Sequence, residues 1–131
     1  GNHTAVAMTG NGNRLEVLQE LTGSGTNSIT ASIHGDLNGA PLGAAFTGPA
    51  LRTGLRPGSL TQQGFNNSMA VNVSGTSNLF AFSQIGSGNS LHASISGHSN
   101  QAAVVQVGMN NHASFSQNGI GNIVSITQRS W

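Results

Sequence analysis

From Asn67 to Gln128 apolar and polar residues alternate in units of eleven, which read NSMAVNVSGTS, NLFAFSQIGSG, NSLHASISGHS, NQAAVVQVGMN, NHASFSQNGIG and NIVSITQRSW. Asn recurs at 67, 78, 89, 100, 111 and 122. The third and fifth residues are apolar throughout: Met69 and Val71, Phe80 and Phe82, Leu91 and Ala93, Ala102 and Val104, Ala113 and Phe115, Val124 and Ile126. The seventh is Val73, Gln84, Ile95, Gln106, Gln117 or Gln128, and the ninth is Gly until Ser130 replaces it in the last unit. Odd positions share one face of a strand. The even ones, mostly Ser, Ala, His, Asn and Thr, suit an outer face. Gly at the ninth position, followed by small or polar residues, lets the chain reverse at low cost. Each unit therefore predicts one short strand and one turn.

A single strand of this kind cannot bury its apolar face, but stacked copies can. The pattern predicts an all-β, two-sided β-solenoid of five strand–turn–strand rungs, about 22 residues each, spaced like the strands of an amyloid-like cross-β sheet, about 4.8 Å apart. Earlier residues fit the same template. Residues 2–12 supply Asn2, Thr4, Val6, Met8 and Gly10; residues 13–26 supply Asn13, Leu15, Val17 and Gln19, with a turn three residues longer; residues 27–37 supply Asn27, Ile29, Ala31, Ile33 and Gly35.

The frame breaks over 38–55, where Pro41 and Pro49 fall. Proline is excluded from the interior of a paired strand, so this stretch is read as a loop inserted in the second rung. The template then resumes at Arg56, standing where Asn is expected, with Leu60, Gln62 and Gly64 after it. An alternative, in which 40–46 pair as an extra strand, puts Pro41 inside that strand. The predicted rungs are 2–26, 27–66, 67–88, 89–110 and 111–131, forming one domain. Gln at position seven supports this phase: second strands carry Gln19, Gln62, Gln84, Gln106 and Gln128, whereas first strands carry Met8, Ile33, Val73 and Ile95, with Gln117 the exception.

Asn at position one and Gln at position seven share the inward parity, and a buried amide needs hydrogen-bond partners. Identical amides on successive rungs satisfy one another. The expected ladders are Asn2, Asn27, Asn67, Asn89 and Asn111 with Asn13, Asn78, Asn100 and Asn122, and the glutamines Gln19, Gln62, Gln84, Gln106, Gln117 and Gln128. A plain turn role for Asn is the alternative. The expected apolar core is Val6, Leu15, Val17, Ile29, Ile33, Leu60, Met69, Val71, Val73, Phe80, Phe82, Leu91, Ile95, Val104, Phe115, Val124 and Ile126.

Composition narrows the function. With four Arg, no Lys, and Glu16, Glu20 and Asp36 as the acids, the net charge is +1. Four scattered Arg form no basic cluster for nucleic acid. There is no Cys, hence no disulfide framework, and no apolar run of the roughly 20 residues a membrane helix needs. Gly1 reads as the start of a processed chain, with no signal peptide in the sequence. An enzyme needs convergent titratable groups, yet Glu16 lies on an outward position and Glu20 and Asp36 are expected in turns. No cofactor is implied. His3, His92 and His112 fall on outward positions of first strands, His34 and His98 in expected turns. Stacking of two molecules would bring His112 near His3, but two imidazoles leave a metal short of ligands.

The segments Gln84-Ile85-Gly86-Ser87-Gly88-Asn89, Gln106-Val107-Gly108-Met109-Asn110-Asn111-His112-Ala113 reaching Gln117, and Gln62-Gln63-Gly64-Phe65-Asn66-Asn67 resemble the repeat of the curlin family, the subunits of bacterial curli. The likeness covers most of residues 2–128 outside the inserted loop. The family's leading Ser is Asn here at 13, 78, 100 and 122. The resemblance implies export through a curli-type outer-membrane channel, polymerisation at the bacterial cell surface with help from a nucleator, and a role in biofilm matrix and adhesion.

Neither terminal block carries a cap or a proline, and both carry the same repeat as the interior. Solenoids that stay monomeric blunt such edges. The expected joint between molecules comprises Thr4, Val6 and Met8 on one end and Val124, Ile126 and Gln128 on the other. Alternatives are a minor nucleator subunit, for which Arg129 at a basic C-terminus is a mild point, and a monomeric solenoid adhesin or ice-binding protein. Ice binders of this shape present outward Thr ranks, which this chain lacks.

Overall fold

A computed structural model describes residues 2–23, 25–38 and 58–130. Each unit forms a strand: β1 (Asn2–Thr9), β2 (Glu16–Leu21), β3 (Asn27–Asp36), β4 (Ser59–Phe65), β5 (Ser68–Thr76), β6 (Leu79–Ser87), β7 (Ser90–His98), β8 (Gln101–Met109), β9 (His112–Ile120) and β10 (Ile123–Ser130). Odd-numbered strands form one five-stranded sheet and even-numbered strands the other, in rung order. Every pairing is parallel. Equivalent positions face one another across rungs: Met69 aligns with Leu91 and Leu91 with Ala113, while Gln62, Gln84 and Gln106 fall in one column. The chain is a two-sided β-solenoid of five rungs.

The core lies between the sheets. Ile29, Ile33, Leu60, Met69, Val73, Phe80, Phe82, Leu91, Ile95 and Val104 are buried, as is Val71. Leu15, Val17, Phe115, Val124 and Ile126 pack against them while partly exposed. Phe80 and Phe82 stack with ring centroids 5.9 Å apart, and Phe115 meets Phe82 edge-on at 6.0 Å. Val6 departs from its expected place in the core: it is 41% exposed. Its parity is inward, but β1 is the edge of its sheet and no rung lies beyond it.

The corners differ from the expected turn at glycine. The strand runs through the ninth position, where Gly35, Gly75, Gly97 and Gly119 pair across rungs. These glycines have φ between 117° and 124°, and a Cβ at Gly75 would run into the carbonyl oxygen of Gly97. Only glycine permits so close an approach of two backbones. The turn itself falls two residues later, in a left-handed residue: Leu37, Asn66, Ser77, Ser99 and Asn110 all have φ of 57–58°. Because the strands are longer than expected, Glu20, His34, Asp36 and His98 lie within strands rather than in turns.

Part of the outer face of the even sheet is buried rather than open to solvent. Ala81 and Ala103 are fully buried there and, with Leu79, form a second small apolar cluster. The inserted loop beyond Asn38, the alternative strand over 40–46 and Arg56 lie outside the described residues.

Candidate functional site at the ends of the stack

Two columns of asparagine weld the corners. In the column that begins the odd strands, Asn27 donates to Oδ1 of Asn2 at 3.2 Å. The Asn67 backbone N–H and side-chain amide both donate to Oδ1 of Asn27, at 3.3 and 3.2 Å. Asn89 repeats this on Asn67 at 3.1 Å, and the Asn111 N–H donates to Asn89 at 3.0 Å. Each amide also closes its own corner. Asn89 Nδ2 reaches the carbonyl of Ile85, four residues back, at 3.3 Å and that of Gly108 at 3.1 Å. A single side chain thus ties together three turns of backbone, which a plain turn residue would not do.

The column that begins the even strands contains a residue the sequence reading missed. Asn38 is fully buried. Its N–H donates to Oδ1 of Asn13 at 2.9 Å, and its own Oδ1 accepts from the Asn78 N–H and amide, both at 3.1 Å. Asn100 donates to Asn78 at 3.1 Å and Asn122 to Asn100 at 3.0 Å. The ladder place assigned to Arg56 is therefore held by Asn38. Arginine could not hold it, since a guanidinium has no acceptor for the Asn78 N–H. Counting eleven from Asn27 lands on Asn38, so the signal was present; the insertion that follows disguised it.

A glutamine ladder runs inside the even sheet. Gln19 Nε2 donates to Oε1 of Gln62 at 2.9 Å, Gln62 to Gln84 at 2.7 Å, Gln84 to Gln106 at 2.8 Å and Gln106 to Gln128 at 2.8 Å. The second N–H of each also finds a backbone carbonyl across the core, as Gln84 does at Ser68 (2.9 Å). Gln117 stands apart, in the aliphatic column of the odd sheet. Its Nε2 reaches the Gln101 carbonyl at 3.1 Å, but its buried Oε1 has no partner.

Both ladders are directional. Asn Oδ1 accepts from the next rung toward the C-terminus, and Gln Nε2 donates toward it. At the C-terminal end, the Oδ1 atoms of Asn111 and Asn122 meet no further rung among the described residues, while Gln128 donates to the His112 carbonyl at 2.9 Å. At the N-terminal end, Gln19 Oε1 accepts from the Thr4 hydroxyl and, among the described residues, from no further rung. The expected joint residues divide accordingly. Thr4, Val6 and Met8 keep the inward parity of β1 but are exposed at its open edge, Met8 by 44%, and Val124, Ile126 and Gln128 lie half-buried on β10. The histidines are not gathered: His3 and His112 occupy the same outward column at opposite ends, and His34 bonds Thr9 at 2.6 Å. A shallow groove of about 480 Å³ on the outer edge of the even sheet, lined by Phe65, Ile85, Val107 and Met109, contains neither ladder end.

The fold and its ladders define a repeat-built protein, a parallel two-sheet solenoid in which each rung supplies the hydrogen-bond partners of the next. Within this repeat, residues 97–129, from the end of β7 into β10, match the family model of the curlin associated repeat. Comparison with curated proteins gives no significant match.

Proposed function

We propose that the chain is the structural subunit of an extracellular, curli-like functional amyloid fibre that grows by head-to-tail stacking of its terminal rungs and supports biofilm matrix and adhesion. One observation carries this reading. β1 and β9 are the edges of one sheet, β2 and β10 of the other, and all four keep the inward pattern of the interior strands with no cap over them among the described residues. An open parallel edge is a template for another strand. The ladder polarity makes the two ends complementary: Asn111 and Asn122 offer acceptors where the Asn2 and Asn13 N–H groups of a second molecule would arrive. A contact of unlike ends does not close, so it propagates.

By the curlin likeness, the subunit passes an outer-membrane secretion channel, is seeded by a nucleator and resides at the bacterial cell surface as a homopolymer, with no cofactor and no catalytic role. The regular repeat at both ends favours the major subunit over the nucleator. Following the purified chain over time by thioflavin fluorescence and electron microscopy tests the reading. Fibres that seed fresh monomer are expected; a chain that stays monomeric at high concentration would remove it.

A further inference from the structure

Charge in this chain lies to either side of the third and fourth rungs, which carry none. Among the described residues, Arg14, Glu16 and Glu20 lie in the first rung, Asp36 closes β3, and Arg129 lies in the last rung. Residues 67–110 contain no Asp, Glu, Lys or Arg. Two of these charges share a column. On the outer face of the even sheet, Glu20 aligns with Gln63, Gln63 with Ile85, Ile85 with Val107, and Val107 with Arg129. Side chains in this column touch across one rung: Gln63 Nε2 donates to Glu20 Oε2 at 3.3 Å. The opposite side of Glu20 faces the open end, and both Glu20 and Arg129 are exposed.

We infer that Glu20 and Arg129 form an ion pair across every subunit joint, so that the surface that binds the C-terminal rung of one copy is the acidic first rung of a second copy. The inference rests on the head-to-tail reading above and adds what selects the partner and its orientation. Continuing the observed register by one rung sets Arg129 beside Glu20 at the spacing of adjacent strands, about 4.8 Å between backbones. Stacking first rung on first rung would instead crowd Glu16 and Glu20 of two molecules along one edge, and like charges on neighbouring strands repel. The interior needs no such discrimination, and stacked like charges there would repel rung after rung, consistent with charge being absent from 67–110.

Charge reversal separates this inference from its parent. Critical concentration and seeded elongation are compared for the wild-type chain, Glu20→Arg, Arg129→Glu and the double exchange, at low and high salt. Each single reversal is expected to raise the critical concentration roughly five-fold at low salt, and the double exchange to return it to within about two-fold of wild type. High salt should shrink all these differences, because exposed pairs are screened. Arg129→Glu monomers should extend Glu20→Arg seeds better than wild-type seeds. If a reversal disturbs folding, Glu20→Gln, which keeps an acceptor for the Gln63 amide, supplies the measurement: it should flatten the salt dependence of elongation. Wild-type fibres whose growth neither the reversals nor Glu20→Gln alters would overturn the ion pair while leaving the fibre reading intact. A wild-type chain that never polymerises would overturn the fibre reading itself.

Discussion

The middle of the stack and its two ends are written in one eleven-residue pattern yet occupy different environments. In the third and fourth rungs Asn67, Asn78, Asn89 and Asn100 are at most 1% exposed, and Gln84 and Gln106 are fully buried. In the first and last rungs Asn2 and Asn122 are exposed, as are Val6 and Met8. Nothing in the local sequence accounts for the difference. A rung is completed by its neighbours, in hydrogen bonds as well as in buried area, so an end rung is half finished. Substitutions at equivalent positions should therefore have unequal effects, and the inequality should vanish once the ends are occupied.

The largest contrast is expected at the corner glycines. Gly86→Ala places a Cβ against the Gly108 carbonyl at φ 122°, whereas the same change at Gly121, φ 72°, meets nothing within 4 Å. The first should cost about 3 kcal/mol or more and the second about 1 kcal/mol, by urea denaturation of fresh monomer. Next is the core: Leu91→Ala should cost about 2–5 kcal/mol, while Val6→Ala at the exposed end should cost under about 1 kcal/mol. The ladder follows. Asn89→Ala leaves the Asn111 N–H without its acceptor and should cost about 2–3 kcal/mol. Asn122→Ala, beyond which no described rung follows, should cost about 1 kcal/mol in the monomer but slow seeded growth. The smallest effect is a gain: Leu37→Gly relieves a left-handed leucine and should stabilise by about 1 kcal/mol.

Much of this architecture was legible because strand parity and an eleven-residue period are local. Phe80, Phe82 and Leu91 could be placed inside, and Gln84 beside Gln106, from spacing alone. Val6 could not, because its parity says which way it points and not whether another rung follows. The corner was misplaced for a related reason. Glycine's freedom marks the bend, but Gly75 is required by the approach of Gly97, a contact between rungs, and the turn proper rests on Ser77. Asn38 was overlooked because the prolines that follow it drew the break one residue too early. The unpartnered Gln117 oxygen was half legible: the spacing marks Gln117 as the one glutamine in an aliphatic column, beside Ile95, but only the packed structure reveals the orphan.

The central claim is that the register continues from one molecule into the next, and a cross-link reads this directly. Ala7 and Ser116 hold the same outward position in β1 and β9, at opposite ends of one sheet, and the chain has no cysteine of its own. Adjacent strands lie within the Cα separation that a disulfide tolerates, about 4.4–6.8 Å. Fibres of the Ala7→Cys, Ser116→Cys double variant should oxidise to long covalent ladders, and mixed fibres of the two single variants should yield disulfide dimers that join one of each. Single-variant fibres that cross-link to themselves as readily, or double-variant fibres that form no intermolecular disulfide, would contradict the account.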